Sequence, residues 1–192
     1  TPPLAGQRIG LFGGSFNPAH EGHLAVSLEA LKRLQLDQVW WMVSPQNPLK
    51  DPSENNDFGE RFALAETLAR HPRLIVTDIE RQLGTRTTAE AFAKLGPVCA
   101  RGQFVWILGA DSFASLHRGN DWRDVPATLP LAVFDRPGWS LKALGSPAAQ
   151  VMSGDRLDPH DARLLCDLTA PAWSFISMPL RGESSSALRA TV

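Results

Sequence analysis

A glycine-rich turn near the start of the chain, residues 13–23 with the sequence GGSFNPAHEGH, restricts the fold more than any other stretch. It follows the apolar run 8–12, which has the length of a buried strand. Paired glycines after a strand allow main-chain N–H groups to approach an anion without interference from a Cβ atom. A helix that begins near Ala19 or His20 would direct the positive end of its dipole at the same place. The stretch therefore predicts a phosphate-binding loop at the mouth of a parallel sheet.

Two histidines, His20 and His23, follow the glycines on the first turn of this predicted helix. Their spacing of three residues places both imidazoles on one face, where they can reach a single ligand. Imidazole donates hydrogen bonds to phosphate oxygens and stabilises charge that develops in a transition state. The coincidence of the glycines, Pro18 and both histidines favours a functional site over a purely structural turn. Dinucleotide-binding and P-loop patterns are absent, and a second histidine at i+3 does not fit the H-E-x-x-H zinc pattern.

The turn resembles the G-x-F-x-P-x-H-x-G-H signature of the nucleotidyltransferase superfamily, whose members transfer a nucleotide onto a phosphate and release pyrophosphate. Within that superfamily the chain is most similar to the bacterial nicotinate-nucleotide adenylyltransferases. The resemblance implies that His20 and His23 are catalytic, stabilising the transition state at the α-phosphorus and holding the triphosphate. It also implies ATP contacts from the turn itself: Gly13, Gly14, Ser15 and Phe16.

Apolar runs of strand length alternate with helical patterns along the rest of the chain, which predicts an α/β fold. We expect a Rossmann-like doubly wound parallel sheet of five to six strands with helices on both faces. The predicted strands cover residues 8–12, 38–43, 74–77, 104–108, 131–134 and 173–178. Helices are expected from about residue 20 to 35, over 58–70 and over 84–95, whereas 140–170 shows only one short helix near 147–152. No linker or repeat is visible, so a single domain over 1–192 is expected.

Two candidate residues follow predicted strands, at the sheet edge where open α/β folds bind ligands. Asp111, after Gly109, could accept two hydrogen bonds from a ribose diol or could cap the next helix. Its resemblance to the family's G-x-D-x-F element implies that Gly109 and Asp111 bind ATP. Lys50 on its own is an ordinary solvated loop lysine, but its resemblance to a P-x-x-P-x-K pattern implies a catalytic lysine that neutralises the triphosphate.

Consecutive serines near the end of the chain form a second candidate anion site. Serine side chains there either cap a helix or supply donors to an anion at its N-terminus. The segment resembles the family's I-S-S-T-x-I-R element, which implies that Ser185 and Ser186 bind ATP and that Arg189 binds the departing pyrophosphate. Glu183 stands where the family has an apolar residue.

The acceptor site is suggested by resemblance at two places. Residues 84–88 resemble the G-x-S-Y-T loop that contacts the pyridine nucleotide, so Thr85 is a candidate contact, although plain helix capping also explains the hydroxyls here. Trp122 and Arg123 match the position of a tryptophan that stacks on the nicotinate ring, whereas an isolated tryptophan is otherwise more often part of a core. Arg61 resembles the arginine of a D-R-x-x-M element, and a surface arginine paired with an acid explains it equally well.

The bulk composition excludes several classes. A net charge of −1 argues against a dedicated nucleic-acid-binding protein. No run reaches the roughly 18 apolar residues that a membrane helix needs, and residues 1–7 lack the apolar centre of a signal peptide. Cys99 and Cys166 have no metal-binding or C-x-x-C spacing and are expected to be reduced core residues. We therefore expect a cytoplasmic protein.

The resemblance implies that ATP and nicotinate mononucleotide are the substrates, with in-line attack on the α-phosphorus and no covalent intermediate. Mg²⁺ is expected to accompany ATP, mainly through water, because no carboxylate cage for a metal is visible in the sequence. Three alternatives stay open: a pantetheine-phosphate adenylyltransferase, a preference for nicotinamide mononucleotide, and a non-catalytic nucleotide-binding module. Assembly into a homo-oligomer is also left open.

Overall fold

A computed structural model describes residues 6–45, 57–85, 88–99, 103–119 and 122–178 of the chain. Its centre is a seven-stranded sheet in the order β3-β2-β1-β4-β5-β7-β6, and every neighbouring pair is parallel. The strands are β1 (Arg8–Gly14), β2 (Gln38–Val43), β3 (Leu74–Thr77), β4 (Gln103–Gly109), β5 (Leu131–Phe134), β6 (Arg156–Leu157) and β7 (Trp173–Ile176). The predicted α/β class with a parallel sheet is thereby confirmed.

Eight α-helices connect the strands in the described part of the chain. They are α1 (Glu21–Arg33), α2 (Phe58–Leu68), α3 (Ile79–Gln82), α4 (Thr88–Cys99), α5 (Ala110–Ser115), α6 (Asp124–Thr128), α7 (Ser140–Leu144) and α8 (Pro147–Val151). A 3₁₀-helix over Pro159–Asp167 precedes β7. Parallel strands need such crossover connections, and their helices cover both faces of the sheet.

Each face of the sheet carries its own apolar core, because successive side chains of a strand point to opposite faces. Trp40 and Met42 pack in one core with residues of α4 to α8, whereas Trp41 and Val43 pack in the other with residues of α1 and α2. All four side chains are nearly or fully buried. Strands buried on both faces explain why the sequence shows continuous apolar runs rather than alternation.

Strand order reverses between β1 and β4, which lie side by side although β2 and β3 come between them in sequence. Ligands bind at such a reversal in open α/β sheets, outside the carboxyl ends of the strands. The turn after β1 and the Gly109–Asp111 segment after β4 therefore meet at the place that the topology assigns to a ligand.

Several boundaries differ from the predictions. All six predicted strands are present, and the seventh, β6, is only two residues long, too short to leave a pattern in the sequence. The expected strand 173–178 ends at Ile176. The stretch 140–170 contains α7 and 3₁₀-helices besides the expected helix α8. At five residues α7 is too short to show a helical period, and a 3₁₀-helix does not have the 3.6-residue period on which the prediction relies. Within the described residues, no helix has the length and apolar character needed to cross a bilayer.

Candidate active site

The two histidines lie together where α1 begins, with ring centroids 3.9 Å apart. His20 is the N-cap residue of α1, and its Nδ1 accepts a hydrogen bond of 3.1 Å from the main-chain N–H of Gly22. In return, His23 Nδ1 accepts a hydrogen bond of 3.2 Å from the main-chain N–H of His20. This is the reciprocal arrangement of a capping box, here built from two imidazoles. The rings are thus held by the helix terminus itself.

The capping bonds determine where each ring carries its proton. A nitrogen that accepts from an N–H is unprotonated, so in the neutral ring the proton lies on the other nitrogen. Both histidines therefore carry N–H on Nε2. His20 is 5% exposed, and its Nε2 is buried without a hydrogen-bond partner in the described part of the chain. An unpaired buried donor at a helix N-terminus indicates a site for an acceptor oxygen.

Electrostatics keep both rings neutral. Burial first, and then the charge of Arg136, lower the pKa of His20 to about 4, with Asp111 acting in the opposite direction. The pKa of His23 is also lowered well below its ordinary value, first by burial and then by the neighbouring His20 and Arg136. Near neutral pH the pair therefore offers Nε2–H donors without a net charge of its own.

The glycine turn provides open space beside the histidines. A Cβ atom added to Gly13 would meet nothing within 4 Å, whereas one added to Gly14 would lie 3.4 Å from the ring of Phe16. Phe16 has a positive φ of 45° and is 1% exposed, and its ring stacks on Trp41 with centroids 5.0 Å apart. Its side chain is consequently part of the core, so only its main chain is available to the predicted ATP contact.

Asp111 faces Arg136 across the ends of β4 and β5. Asp111 Oδ1 lies 3.5 Å from Arg136 Nε, and the Asp111 side chain is 36% exposed. Gly109 is the N-cap of α5, which has no side-chain capping bond, so the alternative that Asp111 caps this helix is wrong. A Cβ atom at Gly109 would lie only 2.5 Å from Asp111 Oδ1 and 3.1 Å from Arg136 Nε. A side chain at position 109 would therefore displace the Asp111 carboxylate from the place it takes in this ion pair.

Sequence reasoning missed Arg136 as a site residue. It follows β5 by two positions, its side chain is 16% exposed, and its charge acts on both histidines. Its position just after a predicted strand could have identified it, because the carboxyl end of β5 lies at the same sheet edge as those of β1 and β4. The Arg136 guanidinium places a positive charge at the candidate site.

The candidates for the acceptor contact have internal partners. Thr85 is 5% exposed, and both its N–H and its hydroxyl donate 3.1 Å hydrogen bonds to the carbonyl of Glu80. Trp122 is 9% exposed and belongs to a core cluster, and the Arg123 guanidinium carbon lies 4.4 Å from its ring centroid. The packing therefore shows Trp122 as a core residue, and stacking of Trp122 on the nicotinate ring stays a prediction.

Arg61 is buried, so the alternative that it is a surface arginine is wrong. It is 1% exposed, and its guanidinium donates to the main-chain carbonyls of Ser15, Ser44 and Pro45. Ser15, a predicted ATP contact, thus has its carbonyl engaged by Arg61. Four further candidates lie outside the described residues: Lys50, Ser185, Ser186 and Arg189. Among the described residues, no three His, Cys, Asp or Glu side chains are grouped so that they could hold a metal.

This chain is similar to known proteins over nearly its whole length. The cytidylyltransferase-like family model matches residues 11–190. A probable nicotinate-nucleotide adenylyltransferase of Rhizobium meliloti is 50% identical over 181 residues, covering 94% of this chain and 96% of the relative. One from Roseobacter denitrificans is 48% identical over 185 residues, covering 96% and 92%.

Solved structures agree on the fold. Plasmodium falciparum nicotinic acid mononucleotide adenylyltransferase, solved in complex with NaAD, superposes with a TM-score of 0.72 at 14% identity, covering 96% of this chain and 83% of that one. The same protein complexed with APC gives a TM-score of 0.70 at 13% identity. At such low identity the likeness bears on the fold alone.

Proposed function

Because this chain belongs to the nicotinate-nucleotide adenylyltransferase family, within the cytidylyltransferase-like proteins, we propose that it transfers the adenylyl group of ATP to nicotinate mononucleotide. An oxygen of the mononucleotide's 5′-phosphate forms a bond to the α-phosphorus, and the bond from that phosphorus to the oxygen bridging to the β-phosphate breaks. The products are nicotinate adenine dinucleotide and pyrophosphate. The unpaired Nε2–H of His20, buried beside an open glycine turn, is the observation that carries this proposal.

The histidines stabilise charge on the transferring group. Each ring accepts a main-chain N–H on Nδ1 and presents N–H on Nε2, so it extends the positive end of α1 toward the phosphate. Donors that are already oriented in a buried site need no reorganisation as charge develops on the α-phosphoryl oxygens. Because the rings are neutral, they bind the phosphate without giving up a proton to it.

Positive charge comes from elsewhere in the site. Arg136 is close enough to both histidines to lower their pKa values, and in the described structure it pairs with Asp111. When Asp111 instead accepts hydrogen bonds from the ribose hydroxyls of ATP, Arg136 is free to turn toward the phosphates. The resemblance assigns further phosphate contacts to Lys50, Ser185, Ser186 and Arg189, and contacts to the acceptor to Thr85, Trp122 and Arg123.

Mg²⁺ is proposed to enter as a complex with ATP. Asp111, whose charge acts on His20, is paired with Arg136, and the described residues contain no metal-ligating cluster. These side chains fit a cation that ATP phosphates and water ligate rather than one held in a protein cage. Bound in that way, Mg²⁺ neutralises charge on the phosphates of ATP.

Release of pyrophosphate tests the proposal. The protein is mixed with ATP and Mg²⁺ and, in separate reactions, with nicotinate mononucleotide, nicotinamide mononucleotide or 4′-phosphopantetheine. We expect the highest kcat/KM with nicotinate mononucleotide, and nicotinate adenine dinucleotide as a product on chromatography. Faster release with either other acceptor would correct the substrate, and no release with any of them would support a non-catalytic nucleotide-binding module.

A further inference from the structure

Arg61 is a fully buried charged residue that the reaction proposed above does not use directly. It lies on α2 and is 1% exposed, yet three of its hydrogen bonds go to main-chain carbonyl oxygens. Burying a guanidinium is costly unless its N–H groups are hydrogen-bonded. The acceptors are the carbonyls of Ser15, Ser44 and Pro45, which belong to the loops after β1 and β2. Arg61 therefore joins two loops at the edge of the candidate active site.

The position of these contacts relative to the sheet is informative. The β1–β2 ladder ends at the pair Gly14 and Val43, followed by a 3.0 Å hydrogen bond from Ser44 N to Gly14 O. Beyond that point the two segments no longer pair as strands. Arg61 Nη1 donates to the carbonyls of both Ser15 and Ser44, the next residue of each segment. The guanidinium thus extends the connection between the two segments into the phosphate-binding loop.

Ser44 also connects this junction to the third strand. Its side chain hydrogen-bonds with the carboxyl of Glu80, which is 7% exposed on α3, directly after β3. The main-chain carbonyl of Glu80 in turn accepts both hydrogen bonds from Thr85. A continuous series of contacts therefore runs from the phosphate-binding loop to Thr85, the candidate contact for the acceptor.

We propose that Arg61 is a positioning residue, which holds the phosphate-binding loop in register with the segments after β2 and β3 so that the acceptor phosphate and the ATP α-phosphorus are aligned. This inference rests on the adenylyl transfer proposed above. In-line transfer depends on alignment, and a misplacement of about 1 Å can cost about a hundredfold in rate. Arginine suits the role because its planar fork reaches carbonyls in two directions, whereas lysine carries the same charge at one point.

Substitution of Arg61 by lysine tests the inference against a matched control. Arg8 also donates to main-chain carbonyls, those of Leu34 and Arg163, but it lies at the amino end of β1, away from the candidate site. For Arg61→Lys we expect kcat to fall about tenfold to a hundredfold, with the Kd for ATP within about threefold of the unsubstituted value. For Arg8→Lys we expect a lower Tm with an unchanged kcat.

Losses of kcat that follow the loss of Tm equally in both variants would show a merely structural role and overturn the inference. Arg61→Gln covers the case in which Arg61→Lys does not fold, because it removes the fork of N–H donors without leaving a buried charge. A kcat at least tenfold lower in Arg61→Gln, measured at a temperature where the variant is folded, supports positioning, and an unchanged kcat contradicts it. Failure of the unsubstituted protein to release pyrophosphate would instead refute the proposed transfer.

Discussion

His20 has two tasks that use different atoms, and substitutions can separate them. Its Nδ1 caps α1 by accepting from Gly22 N, and its buried Nε2 carries an N–H without a partner in the described part of the chain. In asparagine, Oδ1 is bonded to Cγ as Nδ1 is in histidine, so His20→Asn preserves the capping acceptor and removes the donor. In glutamine, the amide reaches about as far as Nε2, so His20→Gln preserves a donor and moves the acceptor away from the helix terminus.

The magnitudes follow from these roles. Loss of one oriented donor to a transition state costs roughly a hundredfold to a thousandfold in kcat, so we expect His20→Asn to lose about that much. Its stability should stay close to that of the unsubstituted protein, because asparagine is among the best N-cap residues. His20→Ala loses both functions, and the missing cap should cost about 1 kcal/mol, which lowers Tm by about 2–4 °C in a chain of this size. His20→Gln should retain more turnover than His20→Asn with a Tm near that of His20→Ala.

Single-turnover pyrophosphate release and thermal unfolding measure the two effects independently. His160→Asn is the matched control, because the His160 side chain is 92% exposed and pairs only with Asp158 among its described contacts. Turnover in His20→Asn within about threefold of the unsubstituted protein would refute the donor role of Nε2. A Tm in His20→Asn as low as that of His20→Ala would refute the capping role of Nδ1.

Two further predictions concern charge and space in the site. The pKa of His20 is about 4 in the folded chain and about 6.5 in an unfolded one, so the unfolded chain binds more protons between these pH values. The free energy of unfolding should therefore decrease as the pH falls from 6.5 to 4, and this decrease should be smaller in His20→Asn. Nitrogen-15 NMR should show His20 as the neutral Nε2–H tautomer at pH 5.5, and titration near pH 6.5 would contradict the assigned burial. Gly109→Ala would place a Cβ atom 2.5 Å from Asp111 Oδ1, so we expect the Kd for ATP to rise about tenfold, whereas Gly154→Ala, where a Cβ meets nothing within 4 Å, should leave it unchanged. Equal ATP affinity in the two glycine variants would show that the Asp111–Arg136 geometry does not govern nucleotide binding.

The sequence predicts the sheet well because five of its strands, β1, β2, β4, β5 and β7, are mostly buried and therefore appear as continuous apolar runs in the local sequence. It does not predict the burial of Arg61, which lies in a helical segment next to Glu60 and looks like an exposed position. Its burial depends on carbonyls of Ser15 and Ser44, which are 46 and 17 residues away in sequence. Arg136 is not predicted as a site residue for a similar reason, because its charge lies near the histidines only after β5 has paired with β4. The hydrophobic periodicity of the sequence predicts which residues form the core. Contacts between the ends of different strands depend on the tertiary structure and leave no such pattern.

The capping geometry also restricts the kind of acceptor that the site can serve. Both Nδ1 atoms accept main-chain N–H groups and both Nε2 atoms carry protons, so neither His20 nor His23 has a free lone pair with which to take a proton from a nucleophile. An alcohol would need such a base before it could attack phosphorus. A phosphate monoester needs none, because its oxygens are already anionic near neutral pH, and what it requires is alignment and stabilisation of charge. The local structure of one helix terminus thus favours transfer to a phosphate over transfer to a hydroxyl, independently of the names of the relatives.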